Sequence, residues 1–253
     1  MSECSPSRVL LEICVDSVAS ARAAAAGGAD RLELAAALAD GGGITPSAGL
    51  LAAVRAAVSL PLHVLIRPRS GDFCYSDDEF AVMKRDIALA KRLGADGLVF
   101  GILRPDGSVD APRTAELIRH ARPLSVTFHR AFDMTADPFA ALEAVIDLGC
   151  DRLLTSGQER TAYAGRALIA QLVARAAGRL IVMPGAGVNE ENIAELLRAT
   201  GAREVHSSAR AVQPGRMLFR NERVAMDFCG ALGYELARTS SDRVRALRAA
   251  LDF

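Results

Sequence analysis

Short apolar runs recur along the chain, each bounded by turn residues, and they alternate with stretches whose apolar positions repeat at helical spacing. Val9 to Asp16 (VLLEICVD) reads as the first strand. Ser17 then caps a helix over Val18 to Ala26, which Gly27-Gly28 closes. Arg31 to Ala35 is the second strand, and Thr45-Pro46 fits a helix start with Leu50, Leu51 and Val54 on its inner face. Leu62 to Arg67 is the third strand, followed by a long polar loop to Ser76 and a helix over Asp77 to Leu93. Gly97 to Ile102 and Ser125 to Arg130 are the fourth and fifth strands, with helices over Arg113 to Ala121 and from Asp137-Pro138 to Gly149. Arg152 to Ser156 is the sixth, and Gly165 to Ala177 supplies its helix. The seventh, Leu180 to Met183, stops at Pro184-Gly185 and Gly187. A helix capped by Asn189 follows, Gly201 ends it, and an eighth strand begins near Glu204. Ala211 to Tyr234 carries no regular pattern, and Asp242 to Leu251 reads as a closing helix.

A repeated junction ties these elements into one architecture. Gly28-Ala29-Asp30-Arg31, Gly94-Ala95-Asp96-Gly97, Gly149-Cys150-Asp151-Arg152 and Gly201-Ala202-Arg203-Glu204 each end a helix and launch a strand, as short turns at one end of a β/α module do. Eight such modules are what a closed (β/α)8 TIM-like barrel requires, in a single domain over 1–253 with a C-terminal extension and a closing helix. A doubly wound open sheet is the other arrangement. It would place its glycine-rich turn after the first strand, where this chain has Val15-Asp16-Ser17.

Strands covered by helices should be almost wholly apolar, so their polar residues carry the information. Glu12, Cys14 and Asp16 share one face of the first strand, and His63 and Arg67 one face of the third. Glu204, His206, Ser208 and Arg210 form an unbroken polar series along the eighth. If these faces point inward, the lumen holds carboxylates, imidazoles and guanidinium groups that must pair with one another. At the mouth, Pro-Gly-Ala-Gly after the seventh strand and Ser-Ser-Ala-Arg after the eighth occupy the positions where many barrels hold an anion. Gly185, Gly187, Ser208 and Arg210, with Arg67 and Arg69, are the candidate anion-binding residues for a small anionic ligand. His129 is the candidate acid or base, exchanging protons with Asp133 or with Glu12 across the lumen. Glu12, Glu33, His129 and His206 could supply divalent-metal ligands from separate strands, and Cys14 is the strand cysteine that could hold a soft metal such as Cu(I).

Composition narrows the field. Thirty basic and thirty acidic residues cancel, and Trp is absent, so neither nucleic acid nor a membrane is an expected partner. No apolar run reaches spanning length, and five scattered cysteines (Cys4, Cys14, Cys74, Cys150, Cys229) argue against a disulfide framework, which points to the cytoplasm. Schiff-base chemistry lacks a nucleophile at a strand end, because the lysines, Lys84 and Lys91, fall on a helix. The irregular stretch from Ala211 to Tyr234 is a candidate interface for a homodimer.

Several phrases together are recognisable: LEICVDS, GGADRLEL, GGGITPSAGL, LHVLIRPRSGDFCYSDDE, VTFHRAFD, RLLTSG, IVMPGAGVNEENI and EVHSSAR. Running from Leu11 to beyond Asn221, they closely resemble the CutC family of copper homeostasis proteins. The resemblance implies a TIM-like barrel, a cytoplasmic location and copper handling, with copper ligands among cysteines at the first two strands. Cys14 matches the first of these. Where a second cysteine often follows RLEL, this chain has Ala35, so Cys14 would have to recruit Met183 or a cysteine of a second chain.

Overall fold

Eight parallel strands, each followed by chain that returns to the same end, build the molecule. The strands are β1 (Leu10–Val15), β2 (Arg31–Leu34), β3 (Leu62–Leu65), β4 (Gly97–Phe100), β5 (Ser125–Phe128), β6 (Arg152–Thr155), β7 (Ile181–Pro184) and β8 (Glu204–Ser207). Between them run helices α1 (Val18–Gly27), α2 (Ala48–Ala57), α3 (Asp77–Arg92), α4 (Ala111–Ala121), α5 (Pro138–Asp147), α6 (Arg166–Ala176) and α7 (Ile193–Thr200). The computed structural model describes residues 8–38, 42–221, 223 and 234–251. Cys4, Cys229 and much of the stretch before Tyr234 lie outside them.

The strand order β7-β6-β5-β4-β3-β2-β1-β8 wraps the sheet into the expected (β/α)8 barrel. Parallel ladders join every neighbouring pair in that order, and β7 meets β8 without a ladder among the described residues. Contacts through side chains and loops close that seam. The Ser207 hydroxyl, for example, donates to the Val188 carbonyl at 2.8 Å.

Local chemistry sets the element ends. Ser17 caps α1 through the Ser20 amide, and Gly28 ends it in the left-handed region at φ 92°. Ser76 and Glu79 form a reciprocal capping box at the start of α3, where Asp77, Asp78 and Glu79 also favour the helix dipole. Asn189 acts one turn earlier than expected. Its side chain accepts from the amides of Glu191 and Asn192, and Asn192 takes the cap position.

The main apolar core lies between sheet and helices and includes the fully buried Phe100, Phe128 and Phe132. Burying each such ring contributes on the order of 2 kcal/mol. A second, small apolar cluster of Ala35, Leu65 and Val99, with Leu38 against it, lies apart from that layer.

The segment read as irregular after the barrel is partly a hairpin. β9 (Arg210–Pro214) pairs antiparallel with β10 (Glu235–Thr239), and α8 (Ser241–Ala249) follows. The polar series expected to run along the eighth strand therefore breaks after Ser207. Ala209 adopts φ 46°, and Arg210 begins the hairpin. Met217, Leu218 and Phe219 beyond β9 are exposed. At the other end, Arg248 on α8 donates to the carbonyls of Gly28 and Val9, which packs the closing helix against α1.

Candidate functional site

The barrel floor is an ion network. Arg31 donates to Glu12 at 2.5 Å and to Glu204 at 2.6 Å, and Arg152 reaches Glu204 at 2.7 Å. Ladder register brings these groups together, with Glu12 opposite Arg31 on one side and His206 on the other. Burial alone would push the Glu12 carboxyl up. Arg31 first, and then His206 and His63, overcome it and hold Glu12 well below the usual carboxylate range. His63, buried beside the network, is pushed down to about 4 by that burial, although Glu12 opposes the shift.

One layer higher sits a cluster with metal-ligand chemistry. Cys14 lies opposite Glu33 across the β1–β2 ladder, and the ligand atoms of Cys14, Glu33 and His206 all fall within 4.8 Å of one another. His206 Nδ1 is 2.7 Å from Glu12 Oε1, which turns its Nε2 toward Glu33 at 3.8 Å. Burial works against a charged His206, but Cys14 and Glu33, together with hydrogen bonds to Cys14 and Glu12, outweigh it and raise its pKa well above the ordinary value. Burial raises the Glu33 carboxyl, which His206 only partly offsets. A thiol, an imidazole and a carboxylate at this spacing suit a borderline or soft metal ion.

Above the cluster a cavity of about 420 Å³ opens at the strand C-terminal ends. Arg67, His129, Arg130 and Arg210 line it, as do Gly187 and Ser208. Arg67 is braced by the carbonyls of Gly43 at 2.9 Å and Gly71 at 2.8 Å, and its guanidinium lies over the Phe73 ring. His129 follows β5, and Gly101 leaves it room. A Cβ at position 101 would come within 2.7 Å of the His129 ring. The Ala131 amide donates to His129 Nδ1 at 3.1 Å, so the neutral ring carries its proton on Nε2, which has no partner among the described residues. Burial, with Arg67 adding repulsion, pushes the His129 pKa down to about 3.

A family model for the CutC family matches residues 9–211. The chain belongs to the CutC family. It is 51% identical over 241 residues to the human copper homeostasis protein cutC homolog, covering 95% of this chain and 88% of that protein. It is 50% identical over 243 residues to a CutC family protein of Chromobacterium violaceum, covering 96% of this chain and 98% of the relative. The crystal structure of a CutC protein from Streptococcus agalactiae superposes with a TM-score of 0.75 at 30% identity, over 79% of this chain and 98% of that one.

Set against this CutC barrel, the expected site residues divide into three groups. Cys14, Arg67, His129, Asp133, Gly187, Ser208 and Arg210 share the cavity. Glu12 lies below it in the floor. Two residues expected at the mouth are turned elsewhere. Arg69 folds onto Glu79, Asp72 and the Cys74 carbonyl, and Gly185 packs its backbone against Leu154 and His206.

Among the described contacts His129 bonds to neither carboxylate considered for it. Asp133 accepts instead from Arg130, Thr155 and Ser156. Met183, considered as a helper for Cys14, faces the floor, where its sulfur accepts from Arg31 at 3.4 Å. Glu33 and His206 stand beside Cys14 in its place. Strand register was the missing signal, since nothing in the spacing of residues 14, 33 and 206 announces that they are neighbours. No helix among the described residues is long and apolar enough to cross a membrane.

Proposed function

We propose that this CutC chain handles copper and holds it at Cys14, Glu33 and His206. The observation that carries the reading is the Glu12–His206 hydrogen bond of 2.7 Å. A carboxylate that orients one ring nitrogen while the other faces a ligand pair is the usual outer support of a metal-bound histidine. Glu12 is itself fixed by Arg31, so the support is anchored in the floor of the barrel. The donor set fits the cargo without a second cysteine. Thiolate and imidazole satisfy the softer Cu(I) ion, and the carboxylate adds a ligand suited to the divalent state. Ala35, packed with Leu65 and Val99, contributes no donor.

A thiol-dependent copper site works in a reducing compartment, and Cys14, Cys74 and Cys150 are free, so the cytoplasm is the fitting location. The test is anaerobic titration of the metal-stripped full chain with Cu(I) in competition with a colorimetric chelator. One equivalent per chain should bind. Cys14→Ser and His206→Gln should each abolish that binding while leaving the circular dichroism spectrum unchanged. Parent-like binding by the Cys14→Ser protein would overturn the assignment.

A further inference from the structure

The metal cluster occupies only the base of the cavity, and the rim above it is built for something else. Three features of that rim are independent of the cluster. His129 is 6% exposed, lines the cavity, and has a buried Nε2–H with no partner among the described residues. Arg210 is 18% exposed and, among the described residues, its guanidinium contacts a side chain only at Asp16, at 3.4 Å, which leaves further donors available. Ala186, Gly187 and Val188 line the same cavity, and their backbone amides make no hydrogen bond to another of the described residues. Leaving a buried donor such as the His129 Nε2–H unmatched is costly, and Arg210 and the 186–188 turn set further donors around the same cavity, which together mark a place for an acceptor.

From these donors we infer that the mouth binds the phosphate of a small phosphate monoester. An imidazole N–H just after β5, a guanidinium at the start of β9 and the backbone amides of the turn after β7 offer donors of three kinds, which suits an anion with three terminal oxygens better than a planar carboxylate. The opposing charges are accounted for. Asp133 is taken up by Arg130, Thr155 and Ser156, and Glu33 belongs to the metal cluster. A volume of about 420 Å³ exceeds the needs of a bare ion and leaves space for an organic remainder.

This inference does not depend on copper, and its test keeps the two apart. Inorganic phosphate is titrated calorimetrically into the chelator-treated full chain in chloride buffer, with acetate at matched ionic strength as the control. The parent should bind phosphate at one site per chain and acetate more weakly. Arg210→Gln and His129→Phe should each weaken phosphate binding about tenfold or more, the loss expected for a hydrogen bond to a charged group. Cys14→Ser should bind phosphate like the parent even where it has lost copper. Absence of saturable phosphate binding, acetate bound as tightly as phosphate, or parent-like affinity in Arg210→Gln would each overturn the inference. Arg210 lies on the surface hairpin, so that variant decides the matter if His129→Phe does not fold.

Discussion

Glu12 is the residue whose loss should be felt both by the fold and by the metal cluster. Replacing it with Gln keeps the size and removes the charge. Arg31, 3% exposed, then keeps Glu204 as its ion-pair partner, and His206 loses the carboxylate that orients it. Breaking one side of a buried pair destabilises by roughly 3–5 kcal/mol. Because Arg31 retains Glu204, the lower end, about 3 kcal/mol, is expected. For a domain of this size that lowers the melting temperature by about 6–12 °C.

Copper affinity in the same variant should fall by about 10–100-fold, as it does when an outer-shell partner of a metal histidine is removed. Thermal denaturation followed by circular dichroism, and the chelator competition on the same preparation, give both readings. The variant Glu12→Gln/Arg31→Met supplies the control. Because the two residues form one network, its destabilisation should be smaller than the sum of the single changes. A Glu12→Gln protein that melts within about 2 °C of the parent, less than 1 kcal/mol on this scale, would refute the view that this network braces the floor.

Three further outcomes are expected. Ala35→Cys restores a thiol on the next strand, on the same face as Glu33, and should tighten Cu(I) binding at least about tenfold in the chelator competition; unchanged affinity would show that position 35 does not reach the cluster. His129 has its folded pKa depressed to about 3 from an ordinary 6.5, so the unfolded chain takes up the proton first and the stability tied to the neutral ring is lost as pH falls from 6.5 toward 3. The stability of the parent relative to His129→Phe, from denaturant titrations, should therefore shrink across that window, a comparison that cancels the opposite pull of Glu33, and a constant difference would contradict it. Gly27→Ala would put a methyl 2.4 Å from the Val244 Cβ and 2.9 Å from the Ser241 carbonyl; the overpacking cost of about 1–3 kcal/mol should exceed the helix-propensity gain, so a more stable variant would show that α8 can shift.

The barrel was legible because its signals are local. Apolar runs, Ser17 as a cap, and the repeated glycine-led junctions each act within a few residues, and they agree with one another. The end of β8 was not, because residues 204 to 210 alternate as a strand should while the break is made by the backbone of Ala209 at φ 46°, a conformation its side chain does not announce. The hairpin of β9 and β10 was missed for a related reason. Among the described residues its strands pair only with each other and are half-exposed, so neither shows the apolar pattern of a core strand. At the site, alternation correctly grouped Glu12 with Cys14 and His206 with Glu204 on shared strand faces. Which groups become partners across strands depends on register, and that set Cys14 beside Glu33 and turned Met183 down to Arg31.

The junction between β7 and β8, unladdered among the described residues, is where the barrel wall lacks backbone rungs. The proposed phosphate site straddles it, with residues 186–188 on one bank and Ser208 and Arg210 on the other, whereas the copper ligands proposed on β1, β2 and β8 lie on a single bank. An occupant gripped from both banks would act as a stitch where backbone rungs are missing. Occupancy should then slow amide exchange first along β7 and β8, before any change is felt on the far wall at β3 and β4.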